Sequence, residues 1–268
     1  MLFQEELIAR VHQVCEADAE LDAALMYGSF ATGEADAHSD IEFWLFFTPD
    51  RRAVIDPRAW CSQIAPVSYL LRNEFGSHVA FFPNLIRGEF HFATTQDIDS
   101  VGAWPARGAE VERMIIVDRT GQLAPVLRRL PQQYEAPDSG PAVLAEYCDP
   151  FANWLVLAHH LVARGEHLRA WDALGHAHRY LLWMARLVEN STTHWLTPSR
   201  AAEAELTTAT ITALRSATSA ATPEGLHMAL RAASVEGQRL WRTLAERYDQ
   251  TAPSTLFKDL DDALDARS

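Results

Sequence analysis

The chain has 268 residues, 23 Lys+Arg against 36 Asp+Glu for a formal charge of −13, and 48% hydrophobic content. That is enough apolar chain for one large domain or two modest ones, and it sets the protein apart from disordered and fibrous sequences. Divided at Glu135, both parts are acidic, 11 − 20 = −9 up to that residue and 12 − 16 = −4 beyond it, so no nucleic-acid partner held by its phosphates is expected.

Along the chain, Leu2, Leu7, Ile8, Val11 and Val14 recur at helical spacing and predict an N-terminal helix. Short apolar runs rich in aromatic and β-branched residues follow at 24–27, 41–47, 67–71, 78–82, 85–92 and 114–117, and each predicts a strand. Asp56-Pro57 predicts a helix start, with an N-cap followed by proline at the first helical position. The Pro- and Gly-containing segment 131–141 reads as a linker. Beyond it, 143–163, 167–189, 199–217 and 224–248 predict four helices, with Thr197-Pro198-Ser199 and Thr222-Pro223-Glu224 as starts for the last two. Strands followed by helices predict an α+β fold: a mixed sheet with helices over 1–135, then a helical bundle over 141–268.

The basic residues comprise 22 Arg and one Lys, Lys258 near the C-terminus. A Walker A loop, a protein-kinase strand and Schiff-base chemistry each need a lysine that the rest of the chain does not supply. Cys15, Cys61 and Cys148 have no CxxC spacing, which fits a reducing compartment and argues against a disulfide framework or structural zinc. The N-terminus has no basic segment followed by an apolar stretch, and no window reaches the roughly 18 apolar residues of a membrane span. A cytoplasmic protein with no membrane partner is therefore expected.

The stretch that bears chemistry is Tyr27-Gly28-Ser29, followed after ten residues by Asp40-Ile41-Glu42. Side chains alternate along a strand, so Asp40 and Glu42 project to one face with α-carbons about 6.5–7 Å apart. Paired carboxylates repel unless a cation sits between them, and this spacing suits Mg²⁺ held together with substrate phosphates. Gly28 would let a phosphate approach the backbone, with the Ser29 hydroxyl and the following amides as donors. An exposed edge strand also carries acid-apolar-acid, and Gly-Ser after a strand is often a plain turn. The two features together point to a metal–phosphate site.

Gly28-Ser29 with Asp40-Ile41-Glu42 resembles the signature of the DNA polymerase β-type nucleotidyltransferase superfamily, whose members transfer a nucleoside monophosphate from an NTP to a hydroxyl with two metal ions. Segments 84–92 and 175–189, together with His194-Trp195-Leu196-Thr197-Pro198, resemble the B-type lincosamide nucleotidyltransferases. Glu42 departs from the Asp found in many superfamily members. The resemblance implies ATP as co-substrate, two Mg²⁺ ions, a lincosamide acceptor modified at the 3-hydroxyl of its thio-sugar, and a third carboxylate on a neighbouring strand.

In the run 85–92, Ile86, Gly88, Phe90 and Phe92 alternate with Arg87, Glu89 and His91, which makes Glu89 the best third carboxylate, as general base, metal ligand or both. An exposed polar face with an Arg87–Glu89 cross-pair is the alternative, and Glu74 and Asp118 are weaker choices of carboxylate. The triphosphate must be met by arginine. Arg179 is preferred, sharing a helix face with His176, Tyr180 and Trp183, and Arg87 and Arg169 come second. His91, Asn153, Tyr180 and Trp183, with Trp154 and His159, are candidates for the acceptor site, although most of the bundle residues could equally be core. The sequence permits a homodimer through the helical half. Two rival functions stand beside this one: an aminoglycoside nucleotidyltransferase, to whose polycationic substrate the negative charge is suited, and a non-catalytic toxin–antitoxin or regulatory module of the same fold.

Overall fold

The computed structural model describes residues 2–136 and 140–266, so part of the predicted linker, 137–139, lies outside the described residues. The chain divides into two units, Met1–Tyr134 and Glu135–Ser268.

In the first unit the elements run α1 (Phe3–Ala17), β1 (Leu21–Tyr27), α2 (Gly28–Thr32), β2 (Ile41–Phe47), α3 (Pro49–Val54), α4 (Pro57–Cys61), β3 (Tyr69–Arg72), β4 (His78–Phe81), β5 (Arg87–Thr94), α5 (Val111–Met114), β6 (Ile115–Asp118) and α6 (Leu123–Arg129). The six strands form one mixed sheet in the order β3-β4-β5-β2-β1-β6. Only the β2–β5 pairing is parallel; the other neighbours run antiparallel. Six apolar runs thus form six strands, and α1 buries Leu7, Val11 and Val14 of its predicted stripe, with Gln4 and Cys15 buried beside them.

Alternation along the central strands separates the core from the site. Ile41, Phe43, Leu45, Phe90 and Phe92 are buried, with Phe43 stacked on Phe90 and Phe47 on Phe92 at ring-centroid distances of 5.4 and 6.0 Å. Each such aromatic contributes about 1.5–3 kcal/mol by its burial. Gly88 is required by this packing, because a β-carbon there would lie 2.6 Å from the Phe82 ring and 2.7 Å from that of Phe90. The opposite face of the same strands carries Glu42, Trp44, Glu89 and His91, all half-buried.

Several strand limits differ from expectation, and two of the shifted starts have a visible local cause. Leu85 belongs to a 3-10 turn, Pro83–Leu85, with Asn84 and Leu85 at positive φ, so β5 begins only at Arg87. Met114 ends the short helix α5 and β6 starts one residue later.

In the second unit a single π-helical turn, Leu144–Cys148, leads into α7 (Asp149–Ala163), followed by α8 (His167–Glu189), α9 (Ala202–Glu205), α10 (Thr208–Ser216), α11 (Pro223–Arg247) and α12 (Ser254–Asp265). The predicted helix 199–217 is broken in two. Leu206 and Thr207 are extended, and the Thr207 hydroxyl accepts from the amide of Thr210, which caps α10. The Glu189 carboxylate holds the break by accepting from the Thr207 amide and hydroxyl at 2.7 and 2.8 Å. Ala201 has a positive φ, so α9 starts later than Thr197-Pro198-Ser199 suggested. Thr222, by contrast, caps α11 as expected. No helix among the described residues is long and apolar enough to cross a membrane.

Candidate active site

Strand β1 ends at Tyr27, and Gly28 turns the chain into the short helix α2, whose second residue is Ser29. Gly28 has φ +73°, where a β-carbon is strained, and a β-carbon there would also fall inside the Glu42 carboxylate. The glycine therefore permits the close approach of the Glu42 side chain.

Glu42 is paired with Tyr27 on β1 and with Glu89 on β5, so the two carboxylates stand in the same register position on neighbouring parallel strands. Such strands lie about 4.8 Å apart, close enough for like charges to repel unless a cation or donors compensate. Glu89 is well supplied with donors. Its Oε1 accepts from the Ser77 hydroxyl at 2.7 Å and from the Asn73 amide at 3.4 Å, and His91 Nε2 lies 3.5 Å away. The Tyr27 phenol hydrogen-bonds the same carboxylate; burial first, then the nearby Glu89 and Glu42 charges, raise its pKa well above the usual tyrosine value. Burial lowers the His91 pKa against the pull of Glu89, which favours a neutral imidazole, and the ring is stacked on Trp44 at 4.6 Å.

Asp40 precedes β2 and is ion-paired with Arg87. Burial raises its pKa and Glu89 adds to the rise, while Arg87 opposes both. The Arg87–Glu89 cross-pair weighed from the sequence is not the pairing formed, because Arg87 spends its guanidinium on Asp40.

The donor set fits a hard divalent cation in kind: three carboxylates, two of them in register beside a glycine corner. Among the described residues, however, no group of three or more His, Cys, Asp and Glu side chains is already arranged to hold a metal ion. Asp40 is drawn to Arg87 and Glu89 to Ser77 and Asn73, so loading would require Asp40 to exchange its partner. Of the weaker carboxylates, Asp118 accepts from the amides of Leu123 and Ala124 at the start of α6, and Glu74 lies exposed in the β3–β4 turn. The three cysteines are buried and free, and burial pushes each thiol up to about 12, which removes them as nucleophiles.

The remaining predicted residues belong to the second unit. Arg179 is exposed and, with Trp171, Asp172, His176, His178 and Ser219, lines a cavity of about 550 Å³ between α8 and the segment after α10. Tyr180 and Trp183 join Tyr147 and Trp195 in an aromatic cluster, where the Trp183 indole donates to the Trp195 carbonyl at 2.9 Å. Asn153 is exposed on α7, Trp154 stacks on His176 at 4.2 Å, and Arg169 is ion-paired with Glu166. Thus Gly28, Glu42, Glu89 and His91 are brought together on one sheet face with Asp40 at its edge, while Arg179, Tyr180 and Trp183 lie on α8 of the second unit.

Sequence reasoning passed over Ser77 and Asn73. The signal available was Asn73-Glu74-Phe75-Gly76-Ser77, a turn sequence between two apolar runs; nothing in it names the carboxylate it serves.

The chain thus presents an acidic sheet face in an α+β unit, followed by a helical unit. Residues 143–262 match the model of the family described as lincosamide nucleotidyltransferase-like, C-terminal domain. No match is found among curated proteins. Among solved structures, the chain is similar to an aminoglycoside 6-adenyltransferase from Bacillus subtilis at 12% identity, over 98% of this chain and 96% of that one, with a TM-score of 0.43. A nucleotidyltransferase-like protein from Exiguobacterium sibiricum is similar at 12% identity, over 98% and 89%, with a TM-score of 0.36.

Proposed function

We propose that the protein is an antibiotic nucleotidyltransferase that transfers AMP from ATP to a hydroxyl of a lincosamide such as lincomycin or clindamycin. The observation that carries this reading is the match of residues 143–262 to the lincosamide nucleotidyltransferase-like C-terminal domain. The in-register carboxylates beside Gly28 supply chemistry that suits it.

Asp40, Glu42 and Glu89 would hold Mg²⁺, which when bound neutralises charge on the phosphates and on the departing pyrophosphate. Glu89 takes the proton from the acceptor hydroxyl as that oxygen attacks the α-phosphorus in line. An O–P bond to the drug forms, the bond to the β-phosphate oxygen breaks, and pyrophosphate carries away the electron pair. The Tyr27 and His91 rings stand beside Glu89 on this face, 6.2 Å apart between centroids. The positive charge for the phosphates must come from arginine: Arg87 is the one beside Asp40, and Arg179 is the candidate on the second unit. Of the acceptor candidates, His91 lies beside Glu89 in the first unit, and Asn153, Tyr180 and Trp183 are the candidates on the helices of the second. A cytoplasmic setting and a homodimer through the helical half complete the reading.

The test is incubation of the purified protein with ATP, Mg²⁺ and lincomycin, clindamycin or an aminoglycoside, followed by mass spectrometry. A gain of one AMP on a lincosamide is the expected result. A gain on the aminoglycoside alone would move the acceptor class, and no adduct with any of them would refute the enzymatic reading in favour of a binding module.

A further inference from the structure

Ser77 is a serine with no exposed surface in a unit whose core is almost wholly apolar. A buried hydroxyl needs a partner, and this one gives its proton to Glu89 Oε1 at 2.7 Å. The turn between β3 and β4 is built to keep it there. Asn73 Oδ1 accepts from the backbone amides of Phe75 and Ser77 at 3.1 and 3.0 Å, and the Asn73 backbone N–H donates to the Ser77 carbonyl at 2.9 Å. Gly76, at φ +87°, supplies the left-handed step that closes the turn. The Asn73 side chain therefore does two things: its oxygen shapes the backbone around Ser77, and its nitrogen reaches Glu89 Oε1 at 3.4 Å. Val79 on β4 is in register with Glu89, so the hairpin end and the carboxylate are fixed by the same strand pairing.

The mechanical consequence lies in the last torsion of Glu89, a broad sp³–sp² rotation that a lone glutamate does not hold still. A base that must meet one hydroxyl in one direction loses rate when its carboxylate turns. We infer that Ser77, held by the Asn73–Gly76 turn, is a positioning residue that clamps one oxygen of Glu89 and so fixes the plane in which the carboxylate meets the acceptor hydroxyl. This rests on the reading of Glu89 as the residue that takes the acceptor proton.

The experiment is a double-mutant cycle of Ser77→Ala with Glu89→Gln in the full chain, with steady-state kinetics for ATP and lincomycin, melting temperatures to show that each variant is folded, and a Mn²⁺ titration followed by electron paramagnetic resonance. Ser77→Ala is expected to lower kcat about 10- to 100-fold, the usual cost of losing a residue that orients a functional carboxylate. KM for both substrates should stay within about threefold of the parent, and the change should have no further effect once residue 89 is glutamine, because positioning acts only through the group positioned. Asn73→Ala should follow the same pattern with a smaller loss. An unchanged kcat in Ser77→Ala would overturn the inference, as would the same fractional loss in both backgrounds, which marks a general structural effect. Glu89→Gln with full activity would instead remove the reading of Glu89 itself. If the parent protein modifies no drug, the functional reading fails by that result, and the Mn²⁺ titration decides the positioning alone: weaker binding in Ser77→Ala supports it and unchanged affinity overturns it.

Discussion

Glu42 and Glu89 occupy one register position on adjacent parallel strands, and the Glu42 carboxylate reaches across to the α-carbon of Gly28. Two carboxylates side by side on a half-buried face repel one another, and the donors on Glu89 offset part of that repulsion. That repulsion is a measurable property of the protein, independent of any substrate.

Glu42→Gln is expected to stabilise the metal-free protein by up to about 1 kcal/mol at low ionic strength, the scale of a like-charge pair on neighbouring strands. Salt should shrink the gain. The same change should abolish any rise in melting temperature that Mg²⁺ gives the parent and lower transfer by at least about tenfold. Urea denaturation with and without Mg²⁺ measures both. A Glu42→Gln protein that is less stable than the parent at every salt concentration would show that the pair does not store repulsion.

Gly28→Ala combines a positive φ with a steric conflict against the Glu42 carboxylate. The backbone part costs roughly 1–2 kcal/mol. Displacement of Glu42 should remove activity far beyond what that loss of stability explains. Circular dichroism and the drug-modification assay on the same preparation separate the two effects.

Arg186 has no exposed surface and is enclosed by acceptors: it donates to the carbonyls of Pro198, Ser191 and Arg200, to Ser191 Oγ, and to the Glu205 carboxylate at 2.7 Å. One guanidinium thereby ties the loop between α8 and α9 to α8, and the aromatic cluster around Trp195 depends on that loop. Arg186→Met should cost about 3–5 kcal/mol, since it leaves three carbonyls without this donor and takes from Glu205 its arginine, with His194 and Ser191 still bonding the carboxylate. Arg186→Lys should recover little, because a single ammonium cannot replace the planar fork. Chemical denaturation followed by tryptophan fluorescence reads both.

Glu205 also sets a pH dependence. Burial raises its pKa, but the hydrogen bond from Arg186 and the neighbouring His194 and Arg186 charges outweigh it and leave the carboxyl below the usual range. Glu189 is lowered in the same way, burial being overcome by Thr210 and Thr207. For an acid whose pKa is lower in the folded state, the unfolded chain binds more protons. The stabilisation is then full above the ordinary value of 4.5 and is lost as the pH falls through the lowered one. Stability should decline on acidification below about pH 4.5. The decline should be shallower in Glu205→Gln, a variant already weakened at neutral pH. Parallel slopes for the two proteins between pH 5 and pH 3 would contradict this account.

The strands were legible because aromatic and β-branched runs broken by Gly, Pro and Asn have few other uses, and period-two alternation placed Glu89 and His91 on one face before any pairing was known. The helix 199–217 was misread because its break rests on Glu189, ten residues before the segment begins, and periodicity carries no record of such a partner. Asp118 looked like a strand-end carboxylate; only the chain turning back as α6 showed its oxygens occupied by two amides.

From the sequence alone came the α+β order of elements, the Gly-Ser corner and the identity of the acidic residues, since these follow from local periodicity, turn chemistry and the fixed geometry of a strand. Only the folded chain decided that β2 and β5 run parallel with Glu42 beside Glu89, that Arg87 takes Asp40, and that a serine from another hairpin holds Glu89. Those are pairings between segments separated by 12 to 47 residues. Register and side-chain partnership across such distances arise from the packing of whole faces, which no short stretch of sequence encodes by itself.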